Sequence, residues 1–154
     1  MIDFKYSAGF VDADGSIQIH AKKFNDKFAI YPVVSLTQLP IRSMLLHELA
    51  SFYELTVCRN NSGIDEMSIS GNKGRRFLEQ IKNHLVIKGE LAEYILNLPK
   101  FVNEVELKSI KKVIQSLRKN NTPNIYQPSR RWAAGYIDGD GWTSARKSKS
   151  LECR

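Results

Sequence analysis

Two short stretches of this chain end in the same acidic pattern. Residues 8–15 read Ala8-Gly9-Phe10-Val11-Asp12-Ala13-Asp14-Gly15, and residues 134–141 read Ala134-Gly135-Tyr136-Ile137-Asp138-Gly139-Asp140-Gly141. In each, an apolar run closes on D-x-D-G, with small residues four apart: Gly9 and Ala13 in one, Gly135 and Gly139 in the other. That spacing puts the small residues on one helix face and lets two helices approach backbone to backbone. The last acid, Asp14 or Asp140, then stands at the C-terminal end of its helix, where the macrodipole disfavours an anion unless a cation is near. Two such carboxylates side by side raise each other's pKa unless a metal neutralises them. Those groups suit a divalent, oxygen-preferring cation.

The elements that would carry the acids follow from periodicity. Residues 3–14 place Phe4, Ala8 and Val11 at helical spacing and stop at Gly15. Residues 16–24 switch to period two, with Ile17, Ile19 and Ala21 on one side and Ser16, Gln18, His20 and Lys22 on the other. A tip at Asn25-Asp26-Lys27 predicts a hairpin whose returning strand carries Phe28, Ile30, Val34 and Leu36 on one face and Tyr31, Val33, Ser35 and Thr37 on the other. Pro40 starts a helix near 41–54 with Leu45, Leu46, Leu49, Phe52 and Tyr53 as its apolar stripe. Strands at 55–60 and 65–70 meet through Asn61-Ser62-Gly63. Helices are expected near 74–85, 89–98 and 103–119. Residues 120–128 read as a linker, and a helix at 129–139 carries the second motif. The domain reading is therefore 1–119, a linker at 120–128, and 129–154 as the start of a second unit. Thirteen residues follow Gly141, and Ala145-Arg146-Lys147-Ser148-Lys149-Ser150 does not alternate as residues 16–24 do.

Bulk composition narrows the function classes. At 154 residues, 42% hydrophobic and 25% charged, the chain matches one ordinary globular domain with a sizeable core. Lys and Arg number 23 against 16 Asp and Glu, a net +7 that suits a polyanionic partner. No apolar run reaches a membrane span and no signal-peptide pattern opens the chain, so an intracellular protein without a membrane partner is expected. Cys58 and Cys153 form no C-x-x-C pair, and His20, His47 and His84 are scattered, which argues against a zinc or histidine-centred site. Lys111, Lys112, Arg118 and Lys119 read as the wet face of a long helix. Lys73, Arg75 and Arg76 stand at a helix start, where they could meet phosphate.

The two stretches, extended to SAGFVDADG at 7–15 and AAGYIDGDG at 133–141, resemble the motif of the LAGLIDADG homing endonucleases. The likeness covers residues 3–119 in element order, and two copies around an α-β-β-α-β-β-α unit make it specific. It implies an α+β half-domain whose four-stranded antiparallel curved sheet forms half of a saddle in the major groove of double-stranded DNA, with extra helices and a second motif helix. In the family, one-motif members dimerise and two-motif members build both halves from one chain. The motif helices form the central interface, and their last acids hold divalent metal at two scissile phosphates. Cleavage is hydrolytic and staggered across the minor groove.

Carried onto this sequence, the resemblance makes Asp14 and Asp140 the metal-binding acids, with Mg²⁺ as cofactor, and gives Asp12 and Asp138 to helix and interface structure. Gln38 matches a polar residue that orders water beside the metals, Lys88 a basic residue next to the scissile phosphate, and Arg42 a basic neighbour beyond the strand. The groove-facing set would be Ser16, Gln18, His20, Lys22, Tyr31, Val33, Ser35, Arg59, Asn61, Glu66 and Ser68. Such groups meet the needs of phosphodiester hydrolysis: a deprotonated water, shielded phosphate charge and a stabilised 3′ oxygen. Alternating sheet residues supply base contacts and the basic surplus supplies phosphate contacts. The expected function is a site-specific DNA endonuclease with a truncated second half, weak in binding unless a second sheet arrives in trans, as from a second chain or homodimer. The alternatives are a non-cleaving nucleic-acid binder such as an intron RNA splicing cofactor, or a folded remnant. The helix at 129–139 is expected to dock on that at 3–14.

Overall fold

The computed structural model describes residues 2–119 and 128–140. The expectations for residues 120–127 and 141–154, including the linker and the tail, lie outside the described residues. Chain order is α1 (Phe4–Asp14), β1 (Ser16–Phe24), β2 (Lys27–Gln38), α2 (Met44–Phe52), β3 (Cys58–Arg59), β4 (Asp65–Ser70), α3 (Gly71–Ile81), α4 (Gly89–Leu96), β5 (Phe101–Val102), α5 (Glu104–Lys119) and α6 (Arg130–Asp140), with short 3-10 turns at Pro40–Arg42 and Lys82–His84. This is the expected α+β order with one addition. The sheet has five strands rather than four, because Phe101 and Val102 pair antiparallel with Ala29 and Phe28. Two residues are too short to show a period in the sequence, and only tertiary pairing makes them a strand.

The sheet runs β1-β2-β4-β3, with β5 against the first residues of β2. Phe24 pairs with Lys27 across Asn25-Asp26, and Asn25 takes the left-handed conformation such a tight hairpin needs (φ 52°). The register aligns Ser16 with Ser35 and Ser68, Gln18 with Val33 and Ser70, and His20 with Tyr31. One sheet face carries Ile17, Ile30, Val34, Leu36, Met67 and Ile69 into the core, where Leu46, Leu49, Phe77, Leu78, Ile81, Ile95 and Ile110 cover it from the helices. The first strand of the second hairpin is shorter than its sequence suggests: residues 55–57 are unpaired and β3 holds only Cys58 and Arg59. In α2, Leu46, Leu49 and Ala50 are buried, but Phe52 is 46% exposed and packs edge-on against Phe4 and Tyr53, so it does not belong to the core stripe.

α1 is the central element. Asp3 caps it by accepting from the Tyr6 amide (2.8 Å), and seven consecutive residues, Tyr6 to Asp12, are buried. A helix buried on every side needs partners on every side. Core and sheet cover one face of α1, and α6 covers another. α1 stops at Gly15, whose backbone is extended (φ −76°) rather than left-handed. Glycine is required there because a Cβ would stand 2.6 Å from the Val11 carbonyl oxygen. Among the described residues no helix is long and apolar enough to cross a membrane.

Candidate functional site

The expected docking of the two motif helices is present, and it has an internal two-fold logic. Corresponding residues of α1 and α6 differ by 126 in number (Asp14 and Asp140, Gly9 and Gly135). The Tyr6 hydroxyl donates to Asp138 Oδ2 (2.8 Å), and the equivalent Trp132 Nε1 donates to Asp12 Oδ2 (2.9 Å). The small residues behave the same way. A Cβ on Gly9 would lie 2.0 Å from the Trp132 carbonyl oxygen, and one on Gly135 would lie 2.0 Å from the Tyr6 carbonyl oxygen. Reciprocal contacts of this kind define an isologous interface, here built within one chain. α6 therefore occupies the small-residue face of α1. A homodimer through that same face would need α6 to leave.

The two earlier acids serve structure, as expected, but unequally. Asp12 is buried and accepts from the backbone amides of Val86 (2.7 Å), Ile87 (3.2 Å) and Lys88 (2.8 Å) as well as from Trp132. It thereby pins the segment before α4 to the motif helix. Asp138 is exposed and accepts from Tyr6, whose phenol is pushed up by burial and then by that acid, so it stays a donor.

The last acids meet at the joined C-terminal ends. Asp14 and Asp140 line one cavity of about 270 Å³ together with Thr37, Gln38, Leu39, Arg42, Ile64 and Gly139. Gln38, buried at the end of β2, donates through Nε2 to Asp14 Oδ2 and to the Gly139 carbonyl (3.0 Å), bridging both helices. Burial raises the Asp14 pKa above the usual carboxylate range, and Asp140 raises it further against an opposing pull from Lys88. Arg42, on the 3-10 turn after β2, is exposed at the rim.

Lys88 does not line the cavity of Asp14 and Asp140, although it lies close enough to feel both charges. Its ammonium donates to the carbonyls of Val11 (2.7 Å), Asp12 (2.9 Å) and Gly15 (2.6 Å), which takes all three of its protons. It caps the C-terminal end of α1 and places a cation where the helix dipole favours one. Burial lowers the Lys88 pKa, and Asp12, Asp14 and Asp140 oppose that shift. Nothing in sequence spacing links position 88 to residues 11–15.

The polar face of the sheet gathers most of the expected groove set. Ser16, His20, Lys22 and Ser68 are exposed, Gln18, Tyr31, Ser35 and Glu66 are half-buried, and Asn61 is exposed at the second hairpin tip. His20 and Tyr31 meet edge to face (6.0 Å), and the Ser35 and Ser68 hydroxyls lie 3.4 Å apart. Two members need correction. Val33 has the right register but is only 2% exposed, closed over between Gln18 and Ser70. Arg59 pairs with Asp65 and shares its face, opposite to that of Cys58 and Glu66, and its guanidinium is held by the Asp65 carboxylate (2.8 and 3.3 Å). The register adds Thr37, Cys58 and Ser70 to the polar face, all exposed. Strict alternation already places Thr37 with Ser35 and Ser70 with Ser68, and the groove-facing set omits both. Arg118, expected on the wet face of a long helix, donates to the Ile17 carbonyl (2.7 Å), and Arg75, expected at a helix start within reach of phosphate, donates through one nitrogen to the Leu96 carbonyl (2.7 Å).

The groups around Asp14 and Asp140 able to ligate a metal are oxygens, and among the described residues there is no cluster of three or more His, Cys, Asp or Glu that could hold one. Two carboxylates and a carbonyl fit a small hard cation that keeps most of its water, and do not fit zinc.

Solved structures share this fold. The homing endonuclease I-CvuI, in a DNA complex with Mg in which the DNA is not cleaved, superposes with a TM-score of 0.55 at 19% identity, over 92% of this chain and 96% of that one. The LAGLIDADG homing endonuclease I-GzeII in complex with its DNA target gives 0.54 at 21% identity, over 90% of this chain and 59% of that one. I-SmaMI, bound to an uncleaved DNA target with calcium ions, gives 0.60 at 18% identity, over 90% and 58%. No family model matches the sequence, and no curated protein matches it. The chain has the LAGLIDADG homing endonuclease fold. It spans nearly the whole of I-CvuI and under three-fifths of I-GzeII and I-SmaMI.

Proposed function

We propose that this protein is a divalent-metal-dependent endonuclease of homing type that hydrolyses phosphodiesters of double-stranded DNA. One observation carries the reading: two repeated motif helices pack through reciprocal contacts and deliver Asp14 and Asp140 to a single cavity, bridged by Gln38. That the related folds are solved as DNA complexes supports the choice of substrate.

Asp14 and Asp140 would hold Mg²⁺ there, and a bound cation would supply a deprotonated water and shield charge on the phosphate. The chain's own groups do the remainder. Gln38 holds the Asp14 carboxylate and the end of α6 in fixed relation. Arg42, which lines the same cavity, would donate to a non-bridging phosphate oxygen. Lys88 keeps the end of α1 wound, so that Asp14 does not move as charge builds. In the reaction a water gives one proton to solvent and its oxygen bonds to phosphorus, the bond from phosphorus to the 3′ oxygen breaks, and that oxygen takes a proton from solvent. The exposed polar face, from Ser16 through His20 and Tyr31 to Ser68, lies in the major groove, where alternating side chains read base edges. A second sheet, brought by another chain, would read the other half of the target.

A plasmid carrying the candidate insertion sequence, incubated with Mg²⁺, tests this. Linearisation by the wild type and none by Asp14→Asn or Asp140→Asn is the expected result. Duplex binding without linearisation by the wild type would overturn the nuclease reading in favour of a non-cleaving nucleic-acid binder on the same fold.

A further inference from the structure

We infer that a notch in the margin of the sheet, remote from the acid pair, is a binding site for a backbone phosphate of the duplex. The inference rests on the DNA reading above and says where, far from the cut, the backbone is gripped.

The notch arises from the strand pairing. β4 ends at Ser70 opposite Val33, and β5 begins at Phe101 opposite Ala29. Between them, residues 30–32 of β2 have no strand on that side. The gap leaves no β2 donor unmet, because the Ile30 amide bonds to the Lys100 carbonyl (2.9 Å) and Pro32 has no N–H. The opening is a cavity of about 610 Å³. Tyr31 and Ser70, both on the polar sheet face, are among the residues that line it, so a duplex lying along the His20–Tyr31 row comes up to it.

Its chemistry is that of an anion site. Arg75, Lys100 and Asn72 line it, and no carboxylate does. Bonding to the Leu96 carbonyl fixes the Arg75 guanidinium while leaving it further N–H donors. Lys100 lies 5.6 Å from the Phe101 ring centre, and among the described residues neither Lys100 nor Asn72 has a hydrogen bond or ion pair through its side chain. Two cations, with the free N–H donors of Lys100, Asn72 and Arg75, around a cavity lined by no acid favour a phosphate over a base edge. Seven residues of β2 separate Tyr31 from Gln38, about 23 Å at ~3.3 Å per residue, which corresponds to roughly seven phosphates along one strand.

The test is the salt dependence of binding to a duplex of arbitrary sequence, measured by fluorescence anisotropy over a series of KCl concentrations. Lys100→Gln is expected to lower the slope of log affinity against log salt by about 0.9, the value of one phosphate contact, and to weaken all sequences alike. Lys100→Arg should keep the slope. Lys112→Gln, on the exposed side of α5, is the control for loss of one positive charge at a distance. An unchanged slope for Lys100→Gln, with the duplex still bound, overturns the inference alone. An equal drop for Lys112→Gln also overturns it, since the effect would then be diffuse charge. A wild type that binds no duplex overturns the DNA reading and the notch with it. Urea midpoints for each variant separate loss of the contact from loss of the fold.

Discussion

Gly9→Ala adds one methyl at the closest approach of the two motif helices, and the structure sets its consequence. The new Cβ would meet the Trp132 carbonyl oxygen at 2.0 Å and the Tyr136 amide nitrogen at 2.8 Å, both backbone atoms that cannot rotate away. The helices must therefore open by about 1.4 Å for that first contact to rise from 2.0 to 3.4 Å. Among the described residues, α6 is tied down by Tyr6 to Asp138 (2.8 Å), Trp132 to Asp12 (2.9 Å), Gln38 to Gly139 (3.0 Å) and the Arg131–Asp3 ion pair (3.5 Å), among other contacts. Such an opening takes them toward or beyond hydrogen-bonding range. Losing two bonds to carboxylates removes about 3–6 kcal/mol, while alanine's better helix propensity returns about 1 kcal/mol. The net is a loss of about 2–5 kcal/mol in α6 docking, with Asp140 drawn away from Asp14. The assay is Trp132 emission in a Trp142→Phe background, where undocking of α6 should shift emission to the red, alongside urea unfolding. Gly135→Ala should match Gly9→Ala, since its Cβ meets the Tyr6 carbonyl oxygen at 2.0 Å. Gly139→Ala should be milder, because its nearest neighbour is the Ala13 side chain at 2.7 Å and its next contact is at 3.2 Å. Unchanged emission and stability in Gly9→Ala, or a larger effect from Gly139→Ala than from either other variant, would refute the reasoning.

Lys88→Met keeps the stem but leaves the carbonyls of Val11, Asp12 and Gly15 without their donor; a loss of about 2–4 kcal/mol is expected by urea unfolding, with faster hydrogen exchange confined to the last turn of α1. The raised pKa of Asp14 means the native state holds that proton more tightly than the unfolded chain does. Its stabilising contribution is therefore present at low pH and lost as pH rises through the raised value. Added Mg²⁺ should oppose that loss, and Asp14→Asn should abolish both effects in denaturant titrations across pH. Asp65 behaves in the opposite sense: Arg59 holds it down to about 2, so its contribution is present above the ordinary carboxylate range and lost as pH falls toward 2. Arg59→Gln should move the acid limb of the stability profile to higher pH, and an unmoved limb would show that Arg59 does not set it.

Much of this protein was legible without coordinates. The D-x-D-G repeats and their small residues announced helices meeting at their C-terminal ends, because backbone contact demands glycine or alanine at a four-residue spacing whatever surrounds it. Period-two alternation from Ser16 to Lys22 and from Tyr31 to Thr37 separated a wet sheet face from a core face, since pleating obeys only local geometry. Tertiary structure decided what depends on residues far apart in the chain. Lys88 became the cap of α1 because the segment before α4 is folded onto Asp12, more than seventy residues away. Arg59 left the polar face because pairing with Asp65, not alternation, sets its side. Val33 kept its register and lost its exposure, and Phe101 and Val102 became a strand only by meeting β2. Local spacing fixes which groups share a face. Hydrogen-bond partners, burial and acidity arise from distant segments, whose meeting no single window of sequence encodes.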